Sequence, residues 1–192
     1  MPTVIGLLRH GQTDWNIDMR LQGISDIPMN ETGHNQSRVA AKVLGEQDWQ
    51  RVISSPLNRA QETAQYVADA LGLVTVETEQ LLLERSFGDA EGSSYEEWRE
   101  RLQSGIVAEG AETVATLEAR SWQLLDQLAK TFEGQRIIAV SHGALIRKII
   151  SLVSEGEFPR DGERFGNASM TTIQFDGERW SILNYDPRTL GN

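Results

Sequence analysis

Two short apolar runs in this 192-residue chain end in the same way, with a polar residue, a histidine and a glycine. Residues 4–8 lead into His10, and residues 137–140 lead into His142. Apolar runs of this length, bounded by polar residues, are typical of buried parallel strands. Because ligands bind beyond the carboxyl ends of the strands in an open α/β sheet, the two histidines are predicted to occupy equivalent places at a binding edge.

The rest of the chain alternates predicted helices with predicted strands. One helix buries Val39, Val43 and Leu44 and ends at Gly45, a second opens at Ser55-Pro56 and runs to Leu71, and a third covers 114–132. Further strands are predicted at 51–54, 74–76, 171–175 and 180–183, the last two joined as a hairpin by Asp176-Gly177. We therefore expect a three-layer α/β/α fold with a mostly parallel central sheet and an antiparallel edge. We expect one domain over residues 1–192, with a cap-like insertion around 88–112.

The composition narrows the choice of partners. The chain has 28 acidic and 18 basic residues, a formal net charge of −10, and 15 of the basic residues are arginine. Nucleic acids and anionic membranes are bound through dense positive surface, so neither is expected as a partner. A few arginines can still form a positive pocket for a small anion. The sequence has no signal-peptide pattern, no apolar run of the roughly 18 residues that a membrane span needs, and no cysteine, so we expect a cytoplasmic protein.

The residue types at the strand ends suit the binding of a phosphoryl group. A neutral imidazole can act as a nucleophile when its other nitrogen donates to a carbonyl group, which fixes the tautomer. The first strand also delivers Arg9, and the strand at 51–54 leads towards Arg59. Guanidinium groups bind oxyanions through paired donors, which lysine does less well.

Four sequence blocks resemble the histidine phosphatase superfamily, which has the phosphoglycerate-mutase-like fold. They occur in the family's order and cover most of the chain: 8–16 (LRHGQTDWN), 54–64 (SSPLNRAQETA), 83–92 (LERSFGDAEG) and 140–143 (VSHG). One block alone would be moderate evidence, whereas four in the right order make a chance match negligible.

The resemblance implies which residues carry out the chemistry. His10 would attack phosphorus and become a phosphohistidine, and Glu84 would protonate the leaving oxygen and later activate water. Glu79 and Glu91 are the competing candidates for the acid. No metal ion or other cofactor is implied, because phosphoryl transfer needs mainly positioning and charge stabilisation.

The resemblance also implies which residues bind the substrate. The phosphoryl oxygens would be bound by Arg9, Arg59 and His142, with Asn16 as a further donor unless it merely caps a turn. The residues expected to border the substrate are Arg20, Gln22 and Gly23. The remaining arginines are expected to pair with acidic residues on the surface.

Two reactions and one non-catalytic role fit the resemblance. Phosphoglycerate mutases of this superfamily carry a tyrosine and a lysine where this chain has Phe87 and Tyr95. The region between Glu84 and His142 is also shorter than in those mutases, and it is acidic. These differences favour a phosphomonoesterase acting on small phosphorylated metabolites, similar to broad-specificity bacterial phosphatases. The alternatives are a cofactor-dependent phosphoglycerate mutase and a non-catalytic phosphate-binding module. The sequence indicates neither the physiological substrate nor the oligomeric state.

Overall fold

The computed structural model describes residues 1–191, and its centre is a six-stranded sheet. The strands are β1 (Thr3–Arg9), β2 (Arg51–Ser54), β3 (Glu77–Thr78), β4 (Arg136–Ser141), β5 (Met170–Phe175) and β6 (Trp180–Asn184). The helices are α1 (Asp14–Ile17), α2 (Glu31–Gly45), α3 (Asn58–Leu71), α4 (Tyr95–Gln103), α5 (Val114–Thr131) and α6 (Gly143–Val153). Short 3-10 turns cover Gln80–Leu82 and Gly88–Ala90. Within residues 1–191, no helix has the length and apolarity required to cross a lipid bilayer.

The order of the strands brings the two histidine-bearing strand ends together. The order is β3-β2-β4-β1-β5-β6; the first four of these run parallel, whereas β5 and β6 are antiparallel to their neighbours. In the register of β1 with β4, Arg9 lies opposite Ser141, so the chain leaves both strands at the same edge. The predicted mostly parallel sheet with an antiparallel edge is confirmed.

Alternate residues of β1 bury into two separate cores. Ile5 and Leu7 pack with apolar residues of α5 and α6, whereas Val4 and Leu8 pack with those of α2 and α3. Since the side chains of a strand alternate between faces, two packed faces require helices on both sides. The predicted three-layer arrangement is confirmed, and it leaves the carboxyl ends of the parallel strands as the place where loops can form a site.

The third strand was predicted at the wrong residues. Val74, in the predicted strand 74–76, is 95% exposed, and β3 instead consists of Glu77 and Thr78, which pair with the end of β2. A two-residue edge strand is defined by hydrogen bonds to its neighbour and buries little, so an apolar pattern does not locate it.

The predicted start of α3 was also wrong. The helix begins at Asn58 with Leu57 as its N-cap, and not at Ser55-Pro56. Oγ of Ser55 lies 2.8 Å from Nε2 of His142, so this hydroxyl group binds a strand-end residue instead of capping the helix.

The buried face of α2 consists mainly of small residues. The helix ends at Gly45 as predicted, but Val39 is exposed, and the buried positions are Gly33, Ser37, Ala40, Ala41 and Leu44. This face packs against α3, whose buried residues are also mostly small. The close contact between the two helices, and not apolar side-chain volume, therefore decides which face of α2 is buried.

Residues 88–112, the segment predicted as an insertion, form their own small apolar cluster. Ala90 and Ala108 bury there with Leu21 and Phe87, separately from the two main cores. The cluster attaches the segment to the loop that follows α1. Its assignment as a cap-like insertion in one domain remains a prediction.

Candidate active site

A cavity of about 580 Å³ lies where the chain leaves β1, β2 and β4. The residues predicted for the site that line it are Arg9, His10, Asn16, Gln22, Gly23, Arg59 and Glu84. His142 is the predicted site residue that does not line it. Within residues 1–191, no group of three or more His, Cys, Asp or Glu side chains is arranged to hold a metal ion. The strand ends thus bring together the side chains that the sequence singled out.

His10 is held as a neutral imidazole with one free ring nitrogen. Its side chain is buried, and Nδ1 lies 2.7 Å from the carbonyl oxygen of Gly11. Since a carbonyl oxygen only accepts, Nδ1 carries the proton and Nε2 keeps its lone pair. Burial, together with the positive charges of Arg59 and Arg9, holds the pKa of His10 well below its ordinary value of 6.5. This is the tautomer and charge state that a nitrogen nucleophile needs.

Glycine at position 11 lets the turn after His10 pack against α2. A Cβ atom there would lie 2.3 Å from the carbonyl oxygen of Gly33 and 2.6 Å from Oγ of Ser37. The amide of Gly11 donates to Oγ1 of Thr63 on α3, 3.1 Å away. The turn that carries His10 is therefore fixed between α2 and α3 by a close approach that only glycine permits.

Arg59 is fully buried and joins the loop at 23–25 to His142. Its Nη1 donates to the carbonyl oxygen of Ser25 at 2.7 Å, and its Nη2 to that of Gly23 at 2.8 Å. Its Nε donates to Nδ1 of His142 at 3.3 Å. Burial lowers the pKa of Arg59, but a guanidinium group stays protonated at neutral pH. Within residues 1–191 no carboxylate lies within 4.0 Å of it, so the cavity wall contains a buried positive charge without an ion-pair partner.

Glu91 supports the loop that receives this guanidinium group. Its carboxylate accepts hydrogen bonds from the amides of Ile24 at 3.0 Å, Ser25 at 2.9 Å and Phe87 at 3.1 Å. Gly23 has a φ of 53°, and a Cβ atom there would lie 2.0 Å from Oε1 of Glu91. Glu91 is therefore committed to the loop and does not line the cavity.

Glu84 is the one of the three candidate acids that lines the cavity. Glu79 instead caps a 3-10 turn, with Oε1 2.8 Å from the amide of Leu81. The carboxylate of Glu84 accepts hydrogen bonds from the amides of Ala144 at 3.0 and 3.1 Å and Leu145 at 3.0 Å, in the first turn of α6. The start of α6 therefore fixes these carboxylate oxygens at the cavity wall.

His142 is fully buried behind the cavity wall. Its Nδ1 accepts from Arg59, so in the neutral ring Nε2 carries the proton and donates to Oγ of Ser55 at 2.8 Å. Burial, followed by the charge of Arg59, holds the pKa of His142 well below 6.5. The ring centroids of His142 and His10 are 5.1 Å apart. In this arrangement His142 orients Arg59, and its direct contact with a phosphoryl oxygen remains a prediction.

Arg9 extends into the cavity from the end of β1. It donates through Nη1 to the carbonyl oxygen of Phe165, while its Nε is buried and has no hydrogen-bond partner within residues 1–191. Burial lowers the pKa of Arg9, which nevertheless remains a cation. A buried donor without a partner costs free energy, so an acceptor oxygen that reached this group would be stabilised.

Asn16 both caps α1 and faces the cavity. Its Oδ1 accepts from the amide of Thr13 and from Nδ2 of Asn167, each at 3.0 Å. Its Nδ2 has no partner within residues 1–191, so the amide keeps two N–H donors for the cavity. Gln22 is arranged similarly, because Oε1 accepts from Oγ1 of Thr13 at 3.0 Å.

Several cavity residues were missed at the level of sequence. Asn167 donates to the carbonyl oxygen of His10 at 3.1 Å, in addition to its bond with Asn16. Arg20 lines the cavity, as expected for a residue that borders the substrate. The expectation that the remaining arginines pair with surface carboxylates was wrong for Arg99, Arg147 and Arg164, which also line the cavity. The excess of arginine over lysine was a signal that further arginines bind an anion, but it does not indicate which arginines line the cavity.

Comparisons with known proteins define the class. Residues 5–186 match the model of the histidine phosphatase superfamily (branch 1), and the chain belongs to this family. It is 35% identical over 187 residues to the uncharacterized phosphatase PhoE of Bacillus subtilis (strain 168), which covers 96% of this chain and 94% of the relative. It is 32% identical over 191 residues to phosphoglycerate mutase-like protein 4 of Arabidopsis thaliana, which covers 93% of this chain and 82% of the relative.

Solved structures agree with this assignment. A mutant phosphoserine phosphatase from Entamoeba histolytica, in complex with phosphoserine, superimposes with a TM-score of 0.84 at 28% sequence identity. The alignment covers 98% of this chain and 99% of that chain. The family and the fold predicted from the four sequence blocks are therefore confirmed.

Proposed function

We propose that this chain is a phosphomonoesterase that hydrolyses small phosphorylated metabolites through a phosphohistidine formed at His10. The observation that carries the proposal is the state of this residue, with Nδ1 bonded to a carbonyl oxygen, a lowered pKa and Nε2 free in a cavity lined by Arg9 and Arg59. A binding module has no need of an imidazole held in this tautomer. Relatives that are named as phosphatases support the same class of reaction.

In the first half-reaction, Nε2 of His10 attacks phosphorus. The N–P bond forms while the bond from phosphorus to the ester oxygen breaks, and Glu84 gives its proton to that oxygen. Arg9 and Arg59 stabilise the charge on the equatorial oxygens, with the N–H groups of Asn16 as further donors. The alcohol leaves, and the phosphoryl group stays on His10.

In the second half-reaction, water attacks the phosphohistidine. Glu84 takes a proton from the water, the N–P bond breaks, and its electron pair returns to Nε2 of His10. Inorganic phosphate leaves, and both residues regain their starting protonation states. The arginines supply the positive charge throughout, so the proposal includes no metal ion or other cofactor and predicts that activity persists in excess EDTA.

The proposal also includes a location and a set of partners. The cysteine-free composition supports a cytoplasmic protein, and the net charge of −10 supports the absence of nucleic acid and membrane partners. Fractionation of cells that express the chain would test the location.

Phosphate release from a substrate panel tests the reaction. The panel contains sugar phosphates, phosphoglycerates, phosphoserine and p-nitrophenyl phosphate, each at pH values from about 5 to 8. We expect release from at least one class of monoester, together with an acid-labile labelled phosphoprotein. No release from any member of the panel would contradict the proposal and favour a phosphate-binding module.

Substitution of the acid tests the role of Glu84. Glu84→Gln is expected to lower kcat for alkyl phosphates by about 10²- to 10⁴-fold, the usual contribution of general acid–base catalysis. p-Nitrophenyl phosphate should be affected much less, because its leaving group departs without a proton. Glu79→Gln is the matched control and should leave both rates unchanged. A wild-type rate of Glu84→Gln with an alkyl phosphate would contradict the role of Glu84 as the acid.

A cofactor-dependent mutase is the second candidate. The additional arginines in the cavity favour it, because a mutase must hold a second anionic end of its substrate, and one relative is named as mutase-like. Conversion of 3-phosphoglycerate to 2-phosphoglycerate that depends on bisphosphoglycerate and exceeds phosphate release would support the mutase.

A further inference from the structure

Four arginines line the cavity besides Arg9 and Arg59, and only Arg20 among them has an ion-pair partner within residues 1–191, Asp18 at 3.7 Å. Arg99 belongs to α4, Arg147 to α6, and Arg164 to the loop before β5. Within residues 1–191, no carboxylate oxygen lies within 4.0 Å of their guanidinium nitrogens. In a chain with a net charge of −10, a cavity lined by six arginines and two glutamates is a local reversal of charge.

Arg147 is the half-buried member of this group. It lies over the ring of Phe165, with 5.5 Å from Cζ to the ring centroid, and it donates to the carbonyl oxygen of Glu163. Its charge contributes to lowering the pKa of Arg9, so the two positive groups are close enough to repel each other. Like charges in one cavity are costly until an anion lies between them.

Glu163, the residue before Arg164, also lines the cavity, but its carboxylate already has hydrogen-bond partners. Oε2 of Glu163 accepts from the hydroxyl group of Tyr185 and, at 3.0 Å, from the amide of Arg160. These bonds hold the pKa of Glu163 below its ordinary value, so it stays an anion with its own partners. Within residues 1–191, the side chain of Arg164 has one hydrogen bond, from Nη1 to Sδ of Met19 at 3.5 Å.

We propose that Arg99, Arg147 and Arg164 form a second anion site, which selects phosphomonoesters that carry another anionic group, either a carboxylate or a second phosphate. The inference rests on the proposed function and names its substrate class. Arg9 and Arg59 bind the phosphoryl group that is transferred. Arg99, Arg147 and Arg164, here called the outer arginines, bind the distal anion. Guanidinium groups suit this role because they bind either oxyanion through paired donors.

The test compares matched esters with and without the second charge. 4-(Phosphonooxy)phenylacetate and its primary amide differ only in a carboxylate, and the methylene group keeps their leaving groups alike. A bisphosphate ester, 1,4-phenylene bisphosphate, is compared with phenyl phosphate. We expect kcat/KM for the wild type to be about tenfold or more higher for the anionic member, the size of one charge-assisted contact. The pair with the larger ratio identifies the preferred anion.

Variants then assign the effect to the outer arginines. Arg147→Gln and Arg164→Gln should each reduce the ratio of anionic to neutral kcat/KM towards one, whereas Arg51→Gln, at the edge of β2, should not change it. A wild-type ratio near one for both pairs, or a ratio unchanged in the two variants, would overturn the inference. If none of the esters were hydrolysed, the proposed function would be contradicted. The second anion site could still be tested in His10→Ala, by calorimetric comparison of the affinities for the phenylacetate ester and its amide. Tighter binding of the ester would support two anion sites, and equal affinities would support one.

A second and independent observation concerns Arg120 on α5. Its Nε and Nη2 donate to the two carboxylate oxygens of Glu112 at 2.9 and 2.8 Å. Its Nη1 donates to the carbonyl oxygens of Leu81 and Leu83, each at 2.8 Å, and Nη2 lies 3.4 Å from that of Glu84. The segment that carries Glu84 has no helix or strand of its own, so these bonds fix its main chain.

The geometry points to Arg120 as a positioning residue for the acid Glu84. Arg120→Lys keeps the charge but loses the forked set of donors. We expect kcat to fall at least tenfold for an alkyl phosphate and less than threefold for p-nitrophenyl phosphate, because only proton transfer to the leaving oxygen is disturbed. Glu118→Gln is the matched control, since it removes an ion pair of α5 with Lys148 and leaves the Glu84 segment intact. An equal loss for both substrates would indicate a purely structural role and overturn the inference.

Discussion

The two histidine-glycine turns have the same sequence pattern and neighbouring positions, yet the fold uses them differently. His10 leaves Nε2 free at the cavity, and its turn is wedged against α2. His142 has both ring nitrogens occupied, and it is the N-cap residue of α6. At equivalent places on adjacent parallel strands, His10 thus keeps a free lone pair, whereas His142 holds its neighbours through hydrogen bonds. The difference depends on which partners reach each ring, and not on the local sequence.

The largest expected effect separates the two histidines. His10→Ala should abolish turnover and the acid-labile phosphoprotein, because no other lone pair replaces Nε2. His142→Ala should lower kcat by about 10²- to 10³-fold, because Arg59 loses the partner that orients it towards the phosphoryl oxygens, while phosphoprotein still forms. Rapid-quench labelling with a phosphate-labelled substrate measures both quantities. Phosphoprotein at wild-type levels in His10→Ala would show that the two roles are assigned the wrong way round.

The charge of Arg59 acts on both histidines, so its removal should affect both. Arg59→Gln is expected to lower kcat by about 10²- to 10³-fold through loss of a charged donor to the phosphoryl oxygens. It also removes a positive charge that lowers the pKa of each histidine, so both pKa values should rise. Steady-state kinetics and NMR titration of the imidazole protons check the two parts. Unchanged histidine titration would mean that burial alone sets these pKa values.

Alanine at the two glycines should change stability in opposite directions. Gly11→Ala places a Cβ atom 2.3 Å from a backbone oxygen, so we expect a loss of about 2–3 kcal/mol in the free energy of unfolding, typical of overpacking. At Gly143 the nearest atom to a Cβ is Nε of Arg9 at 3.5 Å, an ordinary contact. Gly143→Ala should therefore be neutral or stabilise α6 by up to about 1 kcal/mol. Urea denaturation of both variants measures the difference, and destabilisation of equal size at the two positions would contradict it.

The last prediction concerns a pH dependence that the two turns share. Both folded-state pKa values lie well below 6.5, so below that pH the unfolded chain takes up protons that the folded chain does not. Stability should therefore fall as the pH drops below about 6.5, by up to about 1.4 kcal/mol per pH unit for each histidine. Denaturation of wild type, His10→Asn and His142→Asn between about pH 7 and 5 should give a shallower slope for each variant. A slope unaffected by either substitution would mean that other groups cause the loss.

The sequence predicted the parts of the site that depend on local pattern. An apolar run before a histidine locates β1 and β4, and the resemblance then supplies a role for Arg59 and Glu84. It could not predict Asn167 or Arg147, because their place in the cavity depends on how the last part of the chain packs over β1. It misplaced β3 and the start of α3 because these are decided by the register with β2 and by the bond between Ser55 and His142.

The order of strands in the sheet has a consequence for biosynthesis. β1 is made early, but its two sheet neighbours, β4 and β5, begin at Arg136 and Met170. The hydrogen bond from Asn167 to the carbonyl oxygen of His10 also forms only after residue 167 has been synthesised. Closing such long loops is slow, and the central strand stays unpaired until most of the chain has left the ribosome. A nascent chain that stalls before Asn167 therefore contains His10 without the strands and the amide that hold it in place, so we expect premature termination to release no active product.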